Sequence, residues 1–579
     1  MRPALFAAAA LLAGALGSSA VEAQTSRPNI VVILADDAGY ADFAFSRAIS
    51  GGTSQFQSPN IDALAQQSVV ARQGYVASPL CGPSRAGLLT GQYPQRFGIE
   101  ENLGNDASQR FGFDGTERLL SHRLKELGYA TGMTGKWHGG FVPGVNRPND
   151  MGFDHFFGFL SGSRQYYADV NPANLMYRNQ VNVESTWRSQ GDASQYDPVR
   201  GRYVTDAFGE ESASFITQHA AGGNPFFLYA SFTAPHTPLT AKQADLDRFS
   251  HIANAQDRTL AAMVYSLDRA VGRIVDALTA SGAMDNTIIA FLNDNGGTAN
   301  SNNGVFRDYK GKTHEGGIRV PFFLKMPGVA PGTYEQPIST MDLVPTLLAA
   351  AGGAVSMAET DGVNLLPYFN GNSTAAPHET LFWRNREIWA VRKGDWKLAR
   401  PHEPQFNYIG LYNVANDPGE TVNLLSSQPA KAAELYREFT RWEATLAKPE
   451  YGSLGADNRN HFDHFVFQGA TGATTNFSSA GAWSDAATGA SATMLPDDAY
   501  ANAVLEFRTR DGGNYTAANN MKRMSGQAFM LNELRLSGAF GSATPRTATI
   551  SGNSVLMVKN LQGQAPRLRL DATSTAGAG

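Results

Sequence analysis

The sequence predicts an α/β fold in which a mostly parallel central sheet is flanked by helices, and three observations support this prediction. Residues 29–34, 225–232 and 286–292 are continuous apolar runs, as expected for strands that are buried on both faces. Residues 255–281 show a long amphipathic pattern of helical period that a glycine ends. Strand and helix patterns alternate from residue 28 to about residue 350, which is typical of a parallel sheet with helices on both faces.

Shorter elements fill the rest of this region. Helices are predicted over residues 61–70 and 119–127, and a short strand over residues 129–133. A further helix is expected to begin near Pro83, because proline suits a first helical turn, and to end before Gly91.

The first 23 residues have the pattern of a secretory signal peptide. Arg2 supplies a positive charge, an apolar stretch follows, and small residues precede Gln24. No later segment has about 18 uninterrupted apolar residues, so we expect no membrane span. The protein is therefore expected to be periplasmic or secreted.

Charge and cysteine content narrow the classes of function. The formal net charge is −5, and the lack of a basic surplus argues against a nucleic-acid partner. The 579 residues contain one cysteine, Cys81. An exported protein with a single thiol relies on core packing and not on a disulfide framework.

The chain is predicted to contain three units after a signal peptide at residues 1–23. Residues 24–375 form the main α/β domain, and residues 376–450 form a small C-terminal subdomain with an antiparallel sheet and a final helix. Residues 451–579 are rich in Gly, Ala, Ser, Thr and Asn and are predicted to be an accessory β-rich region. No clear repeat period distinguishes a β-sandwich from a stack of β repeats there.

Polar side chains follow four of the predicted strands at the point where each strand ends. Open α/β sheets bind ligands at the carboxyl ends of their strands, so these side chains are expected to gather at one edge. In chain order they are Asp36 and Asp37, Lys136 and His138, His236, and Asp294 and Asn295.

The oxygen-bearing members of this set form a candidate metal site. Such hard oxygen ligands suit calcium or magnesium and not zinc. The alternative is that each pair caps the turn after its strand, as Asp and Asn often do. Clustered carboxylates without a cation would repel one another, which favours the metal. The candidate ligands are Asp36, Asp37, Asp294 and Asn295.

Cys81 lies at the predicted start of a helix, where free N–H groups and the helix dipole favour an anion. A lone cysteine is usually a small buried apolar residue, and this interpretation competes with any reactive one. A cysteine phosphatase would need an arginine six residues later, where this chain has Gly87. A cysteine protease would need a His and an Asn whose geometry spacing alone does not establish.

The sequence around Cys81 reads Cys-Gly-Pro-Ser-Arg at residues 81–85 and Leu-Leu-Thr-Gly at residues 88–91. This pattern resembles the signature of the type I sulfatases, which belong to the alkaline phosphatase superfamily. The resemblance covers residues 28 to about 447 and leaves residues 451–579 outside it. The family usually has leucine where this chain has Gly139, a departure that removes no catalytic group. Other stretches that resemble family motifs are residues 28–39, 135–138, 234–238, 293–297, Lys310 with 315–319, 342–348 and 411–418.

The resemblance implies an alkaline phosphatase-like fold and a modified residue. In that family a separate maturation enzyme oxidises the cysteine to formylglycine, so Cys81 would become a hydrated aldehyde. One hydroxyl would attack sulfur and form a sulfo-enzyme, and the second would expel sulfate. The implied ligands of one calcium ion, with magnesium less favoured, are Asp36, Asp37, Asp294 and Asn295.

The resemblance also implies roles for the cationic residues. Arg85 would neutralise the nucleophile, while Lys136 and Lys310 would hold sulfate oxygens. His236, with Lys310, would protonate or stabilise the leaving oxygen. His138 would be the base of the elimination step.

The resemblance implies that the protein is a sulfatase, which cleaves the S–O bond of a small-molecule or oligosaccharide sulfate ester. Sulfated carbohydrates are the expected substrates, because the enzyme is expected to be exported and to carry a β-rich accessory region. Two alternatives stay open: a phosphonate or phosphate ester hydrolase of the same superfamily, and an inactive binding protein that uses residues 451–579. His314 is open between leaving-group contact and a structural role. Aromatic candidates for a sugar or aryl site, which ordinary packing explains equally well, are Tyr166, Tyr167, Trp383, Trp389 and Phe406.

Overall fold

The structure is a computed structural model. It describes residues 27–104, 112–190, 200–386, 388–401, 409–443 and 445–447, together with strands between residues 464 and 572. The predicted signal peptide at residues 1–23 and the aromatic candidate Phe406 lie outside the described residues.

A large, mostly parallel sheet with helices on both faces forms the centre of the molecule, which confirms the predicted fold class. The strands up to residue 339 are, in chain order, β1 (Asn29–Ala35), β2 (Val69–Ala71), β3 (Gly74–Tyr75), β4 (Ala130–Lys136), β5 (His155–Phe159), β6 (Tyr177–Arg178), β7 (Val181–Asn182), β8 (Phe226–Ser231), β9 (Thr287–Asn293), β10 (Phe322–Lys325), β11 (Gly332–Tyr334) and β12 (Ile338–Ser339).

The order of strands in this sheet is β11-β2-β10-β9-β1-β8-β4-β5-β6-β7, and β3 pairs separately with β12. The four central strands β9, β1, β8 and β4 are parallel neighbours, so their carboxyl ends lie at one edge. In register, Leu34 of β1 lies beside Ser231 of β8, and Ala35 lies beside Asn293 of β9.

Helices cover the two faces of the sheet. The α-helices of the described residues are, in chain order, α1 (Ala44–Ser50), α2 (Pro59–Ala65), α3 (Cys81–Thr90), α4 (Leu120–Glu126), α5 (Val204–Ala220), α6 (Gln243–Arg248), α7 (Ala255–Ala280), α8 (Glu315–Ile318), α9 (Leu343–Ala350), α10 (Leu366–Phe369) and α11 (Pro429–Glu443), of which α11 packs on a smaller sheet.

Alternate residues of β1 enter two separate hydrophobic cores, as the period of a strand requires. Val31 and Ile33 share one core with apolar residues of α5 and α7. Val32 and Leu34 share the other with residues of α3, α4 and α9. Because both faces are buried, β1 needs the continuous apolar sequence that identified it as a strand.

Two predictions about helices need correction. The helix predicted over residues 61–70 ends at Ala65, because residues 69–71 form β2, which pairs with β10 and β11 at the sheet edge. The sequence analysis also identified no helix at α5. Its buried surface includes Asp206, which forms ion pairs with Lys242 and Arg269, and such buried polar residues obscure the apolar stripe.

A smaller antiparallel sheet follows the central domain. Its strands are β13 (Thr380–Asn385), β14 (Ile388–Lys393), β15 (Trp396–Arg400) and β16 (Gly410–Asn413), paired in chain order. Helix α11 packs on this sheet, where Phe439 stacks on Trp389 with ring centroids 4.5 Å apart.

A buried cluster of charges ties this sheet to the central domain. Lys397 of β15 lies 2.9 Å from Glu315 Oε1 at the start of α8 and 3.0 Å from Glu420 Oε1. Glu420 Oε2 also accepts a hydrogen bond from the backbone N–H of Glu315. The hydroxyl of Tyr75 donates to Glu315 Oε2 at 2.6 Å. The three charged groups of Lys397, Glu315 and Glu420 are fully buried, so each depends on the others for compensation.

Lys397→Met is therefore expected to lower the free energy of unfolding by about 3–5 kcal/mol, because it leaves Glu315 and Glu420 buried without their shared cation. Denaturant unfolding followed by tryptophan fluorescence measures this loss. Lys393→Met is the matched control, since Lys393 forms only partly exposed ion pairs, which contribute about 0–1 kcal/mol. Equal losses in the two variants would contradict the assigned role of Lys397.

The accessory region contains strands that pair mainly in parallel. They are β17 (His464–Phe467), β18 (Thr474–Asn476), β19 (Trp483–Asp485), β20 (Val504–Thr509), β21 (Tyr515–Asn519), β22 (Ala528–Leu531), β23 (Glu533–Gly538), β24 (Ala548–Gly552), β25 (Val555–Val558) and β26 (Arg567–Ala572).

The pairing within this region favours the stack of β repeats over the sandwich. One sheet contains β17, β20, β23 and β26 as successive parallel neighbours, and β18, β21 and β24 form a second sheet in the same way. The strands β22 and β25 form a third. From β20 to β26, successive strands therefore belong to the first, second and third sheet in a repeating order, which is the arrangement of a β-solenoid. Val504, Glu533 and Arg567 pair in register on neighbouring strands, and the unequal spacing of these residues in the sequence means that successive coils of the solenoid differ in length.

Among the described residues, no helix combines the length and the apolar character that crossing a bilayer requires.

Candidate active site

The carboxyl ends of β1, β4, β8 and β9 bring together the polar side chains that the sequence analysis identified. Asp36 and Asp37 follow β1 directly, and Asp294 and Asn295 follow β9. Lys136 is the last residue of β4. Since these strands are parallel neighbours, their terminal residues meet at one edge of the sheet.

Helix α3 places the thiol of Cys81 at this edge of the central sheet. The helix begins at Cys81, two residues before the expected Pro83, and ends at Thr90; Gly91 follows it with a φ of 75°, the left-handed conformation that glycine adopts readily. The Cys81 side chain is buried, and its Sγ lies 3.6 Å from Asp36 Oδ1. The thiol therefore occupies the first turn of a buried helix, beside the candidate metal ligands.

Arg85 lies one helical turn after Cys81 and pairs with two carboxylates. Its Nε and Nη2 atoms donate to Asp294 Oδ2 at 3.0 and 2.8 Å, and Nη2 lies 3.2 Å from Asp36 Oδ2. Burial opposes the charge of Arg85, but the carboxylates of Asp294 and Asp36 raise its pKa above the ordinary value. Arg85 therefore stays cationic in a fully buried position.

Two lysines complete the positive charge of the site. Lys136 Nζ lies 2.6 Å from Asp36 Oδ2 and is fully buried, while Lys310 Nζ lies 2.7 Å from Asp37 Oδ1. Burial alone would raise the pKa of the Cys81 thiol, but the two ammonium groups outweigh it and lower that pKa to about 7. The surroundings of residue 81 thus favour a negative charge.

His236 sits at the open side of the site. Its Nε2 lies 3.5 Å from Asp37 Oδ2, and its Nδ1 lies 2.6 Å from the carbonyl oxygen of Thr237. Burial works against protonation of His236, but the carboxylates of Asp36 and Asp37 outweigh it and raise the pKa. A protonated His236 can donate a proton from Nε2.

His138 differs from His236 in that its surroundings lower its pKa. Burial, together with the positive charges of Lys136 and Arg85, holds its pKa well below the usual value. Its Nε2 lies 3.3 Å from the carbonyl oxygen of Leu103, while Nδ1 has no hydrogen-bond partner among the described residues. This Nδ1 lies 3.6 Å from the position that a Cβ on Gly82 would take. His138 is therefore a neutral imidazole beside Gly82, the neighbour of residue 81, with one nitrogen able to accept a proton.

The oxygen ligands predicted for a metal fit such an ion. Ligand atoms of Asp36, Asp37, Cys81 and His236 lie within 4.8 Å of one another. The Oδ1 atoms of Asp294 and Asn295 are buried and have no hydrogen-bond partner among the described residues. Uncompensated buried oxygens are costly, and a cation would compensate them. Carboxylate and amide oxygens suit calcium or magnesium, and the cluster also contains a thiol and an imidazole.

The structure adds two residues that the sequence analysis missed, Ser231 and Asn102, and a new contact for Tyr166. Ser231 Oγ donates to the carbonyl oxygen of Lys136 at 2.7 Å and accepts from Arg85 Nη1. Asn102 Oδ1 accepts from the backbone N–H of Gly82 at 2.9 Å. The hydroxyl of Tyr166 donates to the carbonyl oxygen of His236 at 2.8 Å. Ser231 lies within the strand predicted over residues 225–232, and the sequence analysis named Tyr166 only as an aromatic candidate.

Other candidates have structural environments. His314 is buried, and its Nδ1 lies 2.7 Å from Asp308 Oδ2 and its Nε2 3.4 Å from the hydroxyl of Tyr412, which supports the structural role. Burial lowers its pKa to about 4, although Asp308 opposes this shift. The remaining described aromatic candidates are buried and belong to hydrophobic cores: Tyr166, Tyr167, Trp383 and Trp389.

The sequence is similar to known proteins over most of its length. A family model described as Sulfatase matches residues 28–354. The chain is 31% identical over 480 residues to arylsulfatase A of Bos taurus, a match that covers 74% of this chain and 89% of that protein. It is 32% identical over 390 residues to N-acetylgalactosamine-6-sulfatase of Sus scrofa, with 64% of this chain and 71% of that protein covered.

A solved structure is also similar. The crystal structure of Ps i-CgsB has a TM-score of 0.67 and 33% sequence identity, and the match covers 75% of this chain and 97% of that chain. A second structure of Ps i-CgsB, equally similar, contains k-i-k-neocarrahexaose.

Proposed function

Because the chain belongs to the type I sulfatases of the alkaline phosphatase superfamily and is a sulfuric ester hydrolase, we propose that it hydrolyses sulfated carbohydrates through a formylglycine made from Cys81. The observation that carries this proposal is the buried Cys81 at the first turn of α3, surrounded by Arg85, Lys136 and Lys310. The sugar as substrate class is supported by Ps i-CgsB, whose structure holds k-i-k-neocarrahexaose.

Formylglycine would supply a hydrated aldehyde, with one hydroxyl to displace the alcohol from sulfur and a second to expel sulfate. The proposal therefore includes a maturation enzyme as partner. It also places the mature protein in the periplasm or the medium, because residues 1–23 have the pattern of a signal peptide.

Calcium is the proposed metal, held by the oxygens of Asp36, Asp37, Asp294 and Asn295. When bound, it supplies positive charge beside the nucleophile and the sulfate group.

The cations of the chain bind and orient the sulfate. Lys136 and Lys310 donate to its oxygens, and Arg85 keeps Asp294 and Asp36 compensated so that their charge does not repel the ester. In a buried site these fixed positive charges stabilise negative charge that shifts onto oxygen in the transition state.

The two histidines carry protons in opposite directions. His236 donates from Nε2 to the leaving oxygen, with its Nδ1–H held by the carbonyl oxygen of Thr237. His138 accepts a proton at Nδ1 from residue 81, with its Nε2–H donated to the carbonyl oxygen of Leu103. The raised pKa of His236 and the lowered pKa of His138 agree with this division.

A comparison of aryl esters tests the proposed reaction against phosphoryl or phosphonyl transfer. Phosphate monoesters carry about 1.5–2 negative charges near neutral pH, and sulfate monoesters carry one. We expect kcat/KM for 4-nitrophenyl sulfate to exceed that for 4-nitrophenyl phosphate by about 100-fold or more, which corresponds to about 2.7 kcal/mol. A preference for the phosphate, or for a phosphonate monoester, would overturn the proposal.

Removal of the metal is expected to lower both activity and stability. Dialysis against EDTA should abolish sulfate release and lower the melting temperature, because a ligand present at 100 times its Kd stabilises the folded state by about 2.7 kcal/mol. Calcium should restore both quantities, and magnesium should restore less. An Asn295→Ala variant should need more calcium for the same recovery. Full activity after chelation would contradict the metal proposal.

A further inference from the structure

A polar cavity of about 630 Å³ lies beside the proposed active site, within the size range of ligand pockets. We call it the asparagine cavity. Residues 53–56 and 298–304 form most of its wall, and Asp257 near the start of α7 and Tyr309 are among the residues that complete it.

The cavity wall is continuous with the proposed catalytic residues. The segment 298–309 begins three residues after Asn295 and ends immediately before Lys310. Ser301 Oγ donates to the backbone oxygen of Asp37 at 3.0 Å, and the backbone N–H of Lys310 donates to the oxygen of Gly297 at 2.9 Å. The wall of the cavity is therefore joined directly to Asp37 and Lys310 of the proposed active site.

Several side chains of the cavity are available to bind a ligand. Gln55 and Asn300 are exposed, and no described residue forms a hydrogen bond with their side-chain amides, whereas the backbone N–H of Asn300 donates to Thr298 Oγ1. An amide offers both donors and an acceptor, which matches the hydroxyl groups of a sugar. The Tyr309 ring is 41% exposed and offers an apolar face with a hydroxyl at its tip.

The charge of the cavity excludes a second sulfate group. Its described lining contains no Lys or Arg, and it includes the carboxylates of Asp257 and Asp308. Asp257 is exposed and would repel an anion. The proposed sulfate site next to it has Arg85, Lys136 and Lys310. The two neighbouring sites therefore differ in the sign of their charge.

We propose that the asparagine cavity binds a neutral, unsulfated sugar unit of an oligosaccharide whose neighbouring unit presents its sulfate ester to residue 81. This inference rests on the proposed function, because it assigns the sulfate to the adjacent site. In this proposal, the cavity is the part of the protein that distinguishes an oligosaccharide from a simple sulfate ester. Gln55, Asn300 and Tyr309 are the side chains that contact the neutral sugar unit.

The test uses the full-length mature enzyme and two kinds of substrate. One is 4-nitrophenyl sulfate, and the other is whichever of k-i-k-neocarrahexaose and a panel of sulfated glycosaminoglycan oligosaccharides is hydrolysed fastest. In the double variant Asn300→Ala/Tyr309→Ala, KM for the oligosaccharide should rise about 10- to 100-fold with kcat unchanged, which is the signature of lost uniform binding. The ratio of kcat/KM between oligosaccharide and aryl ester should fall by the same factor.

Two further variants control this result. Asn372→Ala removes an exposed asparagine outside the cavity and should leave the ratio unchanged. Asn300→Lys adds a cation to the cavity and should not lower KM for the oligosaccharide if the bound unit is neutral. An unchanged ratio in the double variant, a lower KM in Asn300→Lys, or hydrolysis of aryl sulfate without hydrolysis of any oligosaccharide would overturn the inference while leaving sulfate ester hydrolysis intact. Failure to hydrolyse every sulfate ester would overturn the proposed function itself.

Discussion

Cys81→Ser is expected to stop turnover after one reaction and to leave sulfate covalently attached to the protein. Serine keeps one hydroxyl at the first turn of α3, among the same cations, but it lacks the second hydroxyl that would expel sulfate. Steady-state kcat for 4-nitrophenyl sulfate should therefore fall by about 10⁴- to 10⁶-fold, the size of loss seen when an essential nucleophile is removed. Intact-protein mass spectrometry after mixing with substrate should detect the sulfate adduct.

The matched control is Cys81→Ala, which has no hydroxyl and should give neither turnover nor adduct. Both variants should fold as the parent does, because each replaces a small buried thiol whose contacts with Asp36 and His236 are weak. Turnover of Cys81→Ser at the parent rate would contradict the need for a second hydroxyl. A stable adduct on Cys81→Ala would show that sulfate attaches elsewhere.

Arg85→Leu is expected to have the second largest effect, on stability and on activity together. The substitution leaves Asp294 and Asp36 buried without the guanidinium that contacts both. Breaking a buried ion pair by removing one partner costs about 3–5 kcal/mol of folding free energy. Loss of this fixed positive charge near the reacting group should also reduce kcat by about 10²- to 10³-fold.

Two variants separate these effects. Arg118→Leu removes a half-exposed arginine that pairs with Glu126, and its cost should be about 0–1 kcal/mol. Arg85→Lys keeps the charge but loses the two-pronged contact, so it should recover part of the stability. Assays at a temperature where circular dichroism shows the Arg85→Leu variant folded isolate the change in kcat. An Arg85→Leu enzyme with full activity and full stability would contradict the role assigned to Arg85.

The parts of this account that the sequence predicted are those with a local signal. Buried parallel strands are apolar on both faces, so β1, β8 and β9 could be identified from their own residues. Once those strands are assigned, the residues that follow them must share an edge, which predicts that Asp36, His236 and Asp294 lie close together.

Nonlocal contacts decided the rest. Residues 69–71 continue a helical pattern, but pairing with β10 makes them a strand. Asn102 supports the Cys81–Gly82 backbone from a loop with no recognisable motif. In the accessory region, turns of unequal length hide the repeat, so only the pairing of Val504, Glu533 and Arg567 shows a solenoid.

The most direct test of the central claim is the chemical state of residue 81 in active enzyme. The protein would be produced with and without a formylglycine-generating enzyme, and the tryptic peptide that contains residue 81 would be analysed by mass spectrometry beside the sulfatase assay. We expect an aldehyde in place of the thiol, and specific activity should rise in proportion to the aldehyde fraction. Fully active protein whose Cys81 is an unmodified thiol would contradict the account.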